Sequence, residues 1–131
     1  MLMVKTKLGL SAIEGIGLFA DEDIQAGTVT WRFIPGFDQL FLQSDIGKLP
    51  DAARAQIANY TYLHAPTGAY VFCIDNARFM NHADIPNTDG VHAADAIEGY
   101  DVATRDIAKG EELTCDYRRF DADFGKKLVS N

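Results

Sequence analysis

Ala77-Arg78-Phe79-Met80-Asn81-His82-Ala83-Asp84-Ile85-Pro86-Asn87 is the stretch on which the fold turns. It lacks the alternation of a half-buried strand and ends in a proline-containing turn, so it reads as a loop held by its own polar side chains. Asn81 and His82 stand at its centre. Metal ligation by His82 needs partners at a ligand spacing, and His64 and His92 share none with it, so the sequence predicts no metal. Two other uses stay open: contact with a ligand, or bonds from Asn81 to backbone groups that a buried loop otherwise leaves unpaired.

Two further segments carry candidate chemistry. Upstream, Glu14-Gly15-Ile16-Gly17-Leu18-Phe19-Ala20 sets two glycines around an isoleucine just before a strand, where backbone can approach a ligand closely or simply turn. It is no dinucleotide fingerprint, because the third glycine and the following helix are missing. Downstream comes Lys109-Gly110-Glu111-Glu112-Leu113-Thr114-Cys115-Asp116-Tyr117. Glu111 and Glu112 are adjacent on a strand and face opposite ways, so they read as solvated turn residues and not as a paired-carboxylate site. Tyr117 ends the strand, either as a core aromatic with a satisfied hydroxyl or as a functional phenol.

At 131 residues and 47% hydrophobic, the chain suffices for one core, and a single domain over 1–131 is expected, with its core at about 5–120 and a polar tail at 121–131. The N-terminus lacks a signal-peptide pattern, and no stretch approaches the ~20 apolar residues of a membrane span. Cys73 and Cys115 form no CxxC, which fits a reducing compartment: cytoplasmic, or nuclear in a eukaryote. A formal charge of −7 argues against direct nucleic-acid binding and favours a basic partner such as a lysine-rich peptide.

Short strands dominate the expected structure: Met3 to Leu8, Gly17 to Ala20, Thr28 to Phe33, Tyr70 to Ile74, Val91 to Ala94, Tyr100 to Arg105 and Leu113 to Tyr117. One helix is predicted from Pro50 to Tyr60, with Ala53, Ile57 and Tyr60 on one stripe, after a shorter helical turn capped by Ser44. Asp23-Ile24-x-x-Gly27 is echoed by Asp106-Ile107-x-x-Gly110, either as two units built alike or by chance recurrence in a turn-rich chain.

In this order and at these separations, the three segments resemble the SET domain family of protein lysine methyltransferases. Gly15-Ile16-Gly17-Leu18-Phe19-Ala20 is similar to the family's GxGxFA signature, Arg78 to Asn87 to its RFxNHSCxPN signature, and Gly110 to Tyr117 to its GEELTxDY signature. The match spans about Lys5 to Phe120. It implies a mainly β, β-clip fold of small sheets with one short inserted helix and a C-terminal pseudoknot, an exception to the usual avoidance of threaded loops. It also implies S-adenosylmethionine as cofactor, held by the backbone of Gly15, Ile16 and Gly17, the side chain of Asn81 and the main chain of His82. Tyr117 would face both the sulfonium and the incoming amine, as the catalytic residue.

The departures are specific. Ala83-Asp84 replaces Ser-Cys, Phe33 stands where a third-strand tyrosine is usual, and Cys115 occupies the position of a Phe or Tyr that tunes the number of methyls added. Phe33, Cys115 and Phe120 are therefore the expected lining of the substrate lysine channel, with Phe120 and Phe124 available to close it. The family's flanking zinc segments are missing, which predicts a metal-free domain. The resemblance implies methyl transfer to the ε-amine of a lysine in a basic protein or peptide, with self-pairing as a homodimer open. The alternative is a non-catalytic scaffold of the same fold that docks a protein partner, with or without cofactor.

Overall fold

The computed structural model describes residues 1–92 and 99–124. Among the described residues, ten short strands form three small sheets. β1 (Thr6–Leu10), β2 (Ile16–Ala20), β10 (Glu112–Cys115) and β7 (Asn81–His82) make one sheet, in the order β1-β2-β10-β7. β3 (Val29–Arg32), β9 (Tyr100–Ala103) and β8 (Thr88–Val91) make the second; β4 (Gln39–Phe41), β6 (Ala69–Phe72) and β5 (Thr61–His64) make the third. The mainly β class and the inserted helix agree with the sequence reading.

Helix α2 (Asp51–Tyr60) starts after Pro50, whose fixed φ suits a helix entry and which has no N–H to leave unpaired. None of its residues is buried, so the Ala53, Ile57 and Tyr60 stripe does not enter a core. Tyr60 instead sets its ring edge-on to Phe79, centroids 5.8 Å apart. The preceding turn, α1 (Gln43–Ile46), has Leu42 at its cap position, with no side-chain cap bond. Ser44 lies inside that turn and does not cap it.

The repeated Asp-Ile-x-x-Gly motif is a paired device. Ile24 and Ile107 bridge antiparallel and exchange backbone bonds of 2.8 Å in both directions. Asp106 accepts from Ala26 N–H at 2.8 Å, and Asp23 accepts from Lys109 N–H at 2.9 Å, so each aspartate ties down the other unit's turn. Both isoleucines are buried in the first core with Leu18, Ala20, Met80, Ala103, Leu113 and Cys115. The second core is Trp31, Phe33, Val71 and Cys73.

Position 81 is fixed by lacing. β7 pairs parallel to β10, with Asn81 opposite Thr114 and His82 opposite Cys115. Further along, Asn87 donates to the Glu112 carbonyl at 2.8 Å and accepts from Thr114 N–H at 2.8 Å, and Thr88 Oγ1 donates to the Thr114 carbonyl. The segment after β7 is thereby tied along the whole of β10, the arrangement the resemblance implied. β8 begins at Thr88, earlier than the expected Val91 start; Ala93 and Ala94 of that expectation, and residues 125–131 of the polar tail, lie outside the described residues.

Candidate active site

The glycine turn is built around Ser11. Its backbone N–H donates to the Gly15 carbonyl at 2.9 Å, and its Oγ accepts from the N–H groups of Ile13 and Glu14. Gly15 has φ +50°, a left-handed conformation that β-carbon sterics make costly for other residues. Gly17 is required for a different reason. A Cβ there would lie 2.2 Å from Glu112 Oε1, so the second glycine makes room for a carboxylate.

Glu112 is the residue that the sequence reading misplaced. Its carboxylate turns inward, accepting from Ser11 Oγ at 2.8 Å and from Asn81 Nδ2 at 2.8 Å. Glu111, on the opposite face, pairs with Arg105 at 3.0 Å and accepts from Ala108 N–H; the arginine's hydrogen bond draws its carboxyl below the usual range. The alternation argument was right about the two faces, but the face assigned to solvent at position 112 carries a half-buried link. The available signal was Gly17, eight strands away in sequence and on the adjacent strand of the sheet.

Asn81 Nδ2 also donates to the Glu14 carbonyl at 3.0 Å, with the Ile16 carbonyl at 3.4 Å. One amide thus joins the Gly15–Gly17 turn to β10. His82 accepts at Nδ1 from the Tyr117 N–H at 3.2 Å, which places the ring proton of the neutral form on Nε2. The His82 ring packs on Tyr117 and Phe124, with centroids 5.6 and 5.1 Å away.

Tyr117 opens a 3-10 turn (Tyr117–Arg119) whose cap, Asp116, accepts from Arg118 N–H and twice from its guanidinium. The Arg118 hydrogen bond is the largest cause holding the Asp116 carboxyl below its usual range. This clamp fixes where the tyrosine ring leaves the strand. Its hydroxyl donates to the Met80 carbonyl, one residue before Asn81. Burial, then the nearby Cys115, pushes the phenol well above its ordinary pKa, so it stays protonated at neutral pH.

Of the expected channel residues, Cys115 and Phe120 lie together: Cys115 is buried in the first core, and Phe120 packs against it and edge-on to Tyr117 at 5.7 Å. Phe33 lies elsewhere, in the second core. Tyr62, which the sequence reading passed over, joins the two, packing on the second core and meeting Phe120 at 4.9 Å. Phe124, 5.8 Å from Tyr117, completes an aromatic wall.

The SET domain family model matches residues 15–118, which takes in all three motif segments. Among curated proteins, the chain is 27% identical over 121 residues to a histone-lysine N-methyltransferase of Candida albicans, H3 lysine-36 specific; the match covers 86% of this chain and 14% of that protein. Among solved structures it is similar to the Chaetomium thermophilum Polycomb Repressive Complex 2 bound to GSK126, with 26% identity and a TM-score of 0.69 over 97% of this chain and 17% of that one. The same complex in an autoinhibited conformation bound to S-adenosylmethionine aligns with 25% identity and a TM-score of 0.68, covering 97% of this chain and 17% of that one. The chain therefore spans less than a fifth of these relatives, the part that carries the glycine turn, Asn81 and Tyr117, and it belongs to the SET domain family.

Proposed function

We propose that this protein transfers a methyl group from S-adenosylmethionine to the ε-amine of a lysine in a protein substrate. The observation that carries the reading is the link through Asn81, whose side chain binds the glycine turn while its neighbour Met80 holds the Tyr117 hydroxyl.

The residues present fit the cofactor. At Gly15 nothing lies within 4 Å of where a side chain would stand, so the turn's backbone is open to a ligand. Beneath it, Glu112 offers an acceptor suited to an ammonium group, and His82 and Phe124 offer ring faces. Gly15, Ile16, Gly17, Asn81, His82 and Tyr117 would hold it. When bound, S-adenosylmethionine supplies a sulfonium methyl group, whose transfer to an amine leaves a neutral thioether.

Tyr117 is no general base on this account, because its phenol is held neutral and its proton is committed to the Met80 carbonyl. Its oxygen lone pairs remain available to polarised hydrogens on a bound amine or methyl, which orients both. A free lysine titrates near ~10.4 and must lose its proton before it can act as nucleophile. Enclosure among Cys115, Phe120 and Tyr62 disfavours the cation and lowers that value, so that water leaving the site carries the proton away. Holding the amine in line then supplies much of the rate.

Incubation with labelled S-adenosylmethionine and lysine-rich proteins, followed by mass spectrometry of the acceptor residue, tests this reading. Methyl-lysine that disappears in Tyr117→Phe supports it. Cofactor binding with no transfer to any basic protein would favour the scaffold, for which Phe33 and Cys115 are the supporting departures.

A further inference from the structure

The polar tail begins with two buried carboxylates that the methyl-transfer reading leaves unused. In Phe120-Asp121-Ala122-Asp123-Phe124 both aspartates are buried while Ala122 between them is exposed, in a chain whose formal charge is already −7. A carboxylate taken out of water needs donors, and these two find them on the third sheet and within the tail itself. Asp121 accepts from the Leu63 N–H at 3.1 Å and from the Asp123 N–H at 3.0 Å. Asp123 accepts from the Tyr70 hydroxyl at 2.6 Å, and the Ala122 N–H donates to the Leu63 carbonyl at 3.0 Å. Leu63 and Tyr70 stand opposite each other across β5 and β6, so the tail is fastened at one register position of the sheet.

The same segment carries the aromatic wall. Phe120 meets Tyr62 of β5 at 4.9 Å and Tyr117 at 5.7 Å, while Phe124 meets His82 at 5.1 Å and Tyr117 at 5.8 Å. At its near end the segment is held to the 3-10 turn by the Asp121 N–H, which donates to the Tyr117 carbonyl at 2.9 Å. Phe124 directly follows Asp123, and its N–H donates to the Asp121 carbonyl at 3.1 Å. The third sheet therefore fixes where a ring on the cofactor side of the site can stand.

We propose that Tyr70 is a positioning residue of the cofactor site: through Asp123 it holds the Phe124 ring against His82, where that ring forms a wall for the cofactor's base. The proposal rests on the methyltransferase reading and adds to it a residue outside all three motifs. A hydroxyl bonded to a carboxylate at this distance is charge-assisted and directional, so it restrains Asp123 more firmly than a neutral pair would. Burial, then the bond to Asp123, pushes the Tyr70 phenol up to about 12, so it remains the donor throughout the neutral range.

The test measures S-adenosylmethionine affinity by calorimetry, well below each protein's melting temperature, for wild type, Tyr70→Phe, Phe124→Ala and the double variant. Tyr70→Phe keeps the ring on β6 and removes only the donor. It should bind the cofactor roughly five-fold to ten-fold more weakly. In the Phe124→Ala background the same change should cost about two-fold or less, because the ring that Tyr70 positions is gone. In transfer assays the KM for the cofactor should rise with kcat nearly unchanged, and the KM for a lysine peptide should move less. Asp123→Asn, which keeps an oxygen to accept the hydroxyl, should recover much of the affinity that Asp123→Ala loses. A purely structural role would lower the melting temperature of Tyr70→Phe without moving cofactor affinity. That outcome, or an equal loss with and without the Phe124 ring, would overturn the assignment while leaving the methyltransferase reading intact. Failure of the reading itself looks different: folded wild type then binds no cofactor, and the assignment falls with it.

Discussion

Asn81 donates its side-chain amide to Glu112 Oε1 at 2.8 Å, and that carboxylate occupies the space which a side chain at position 17 would need. The asparagine and glutamate of two motifs are thus hydrogen-bonded to each other and packed against the glycine of the third, and three signatures separated in sequence meet at one place in space.

Gly17→Ala should lower stability by about 1–3 kcal/mol, because the new methyl collides with a hydrogen-bonded carboxylate. Combining it with Glu112→Ala should cost less than the sum of the two single changes, since the clash vanishes with the carboxylate. Urea unfolding of the four proteins in the cycle measures this directly; strict additivity would separate the two residues.

Tyr117→Phe removes the hydroxyl bonded to the Met80 carbonyl while keeping the ring against Phe120 and Phe124. Stability should fall by about 1–2 kcal/mol, through one lost buried bond. Transfer should drop at least a hundred-fold, as for loss of a charge-stabilising group, with cofactor affinity changed little. Single-turnover kinetics beside a thermal melt separates these effects.

The pH dependence of stability should carry the mark of Asp101. Its carboxyl is raised in the fold from 3.8 to about 6, so the folded protein holds the proton more tightly than the unfolded chain. That contribution is fully present below the unfolded value and is lost as pH rises through about 6. Asp101→Asn should flatten the decline between those limits by on the order of 2 kcal/mol. Denaturant midpoints at intervals across the range would reveal an unchanged slope if the carboxyl were not perturbed.

Asp23→Ala and Asp106→Ala should each cost about 0.5–2 kcal/mol, because each aspartate accepts the backbone N–H of the other unit's turn. The two turns share the Ile24 and Ile107 bridge, so the double change should depart from additivity. Melting temperatures of the three variants decide the matter.

Much of this architecture was legible because local chemistry and global position agree. Pro50 starts α2, and the glycines at 27 and 110 both have positive φ where the echo placed tight turns. β5 was missed because it follows α2 directly, Tyr60 to Thr61, with no glycine or proline to mark the change of conformation. β4 is only three residues long, too short for alternation to register. Glu112 was misread because a Glu-Glu pair after a turn looks solvated, and only the sheet brings Ser11 and Gly17 to it. Tyr62 escaped for a similar reason: its contact with Phe120 joins segments that no motif links.

Calorimetric titration of S-adenosylmethionine into the wild-type protein and into Asn81→Ala tests the central claim most directly. The account predicts saturable binding by wild type and binding at least ten-fold weaker in the variant, which loses the amide that joins the glycine turn to β10. A folded wild-type protein that does not bind the cofactor, or equal affinity in the two proteins, would contradict it.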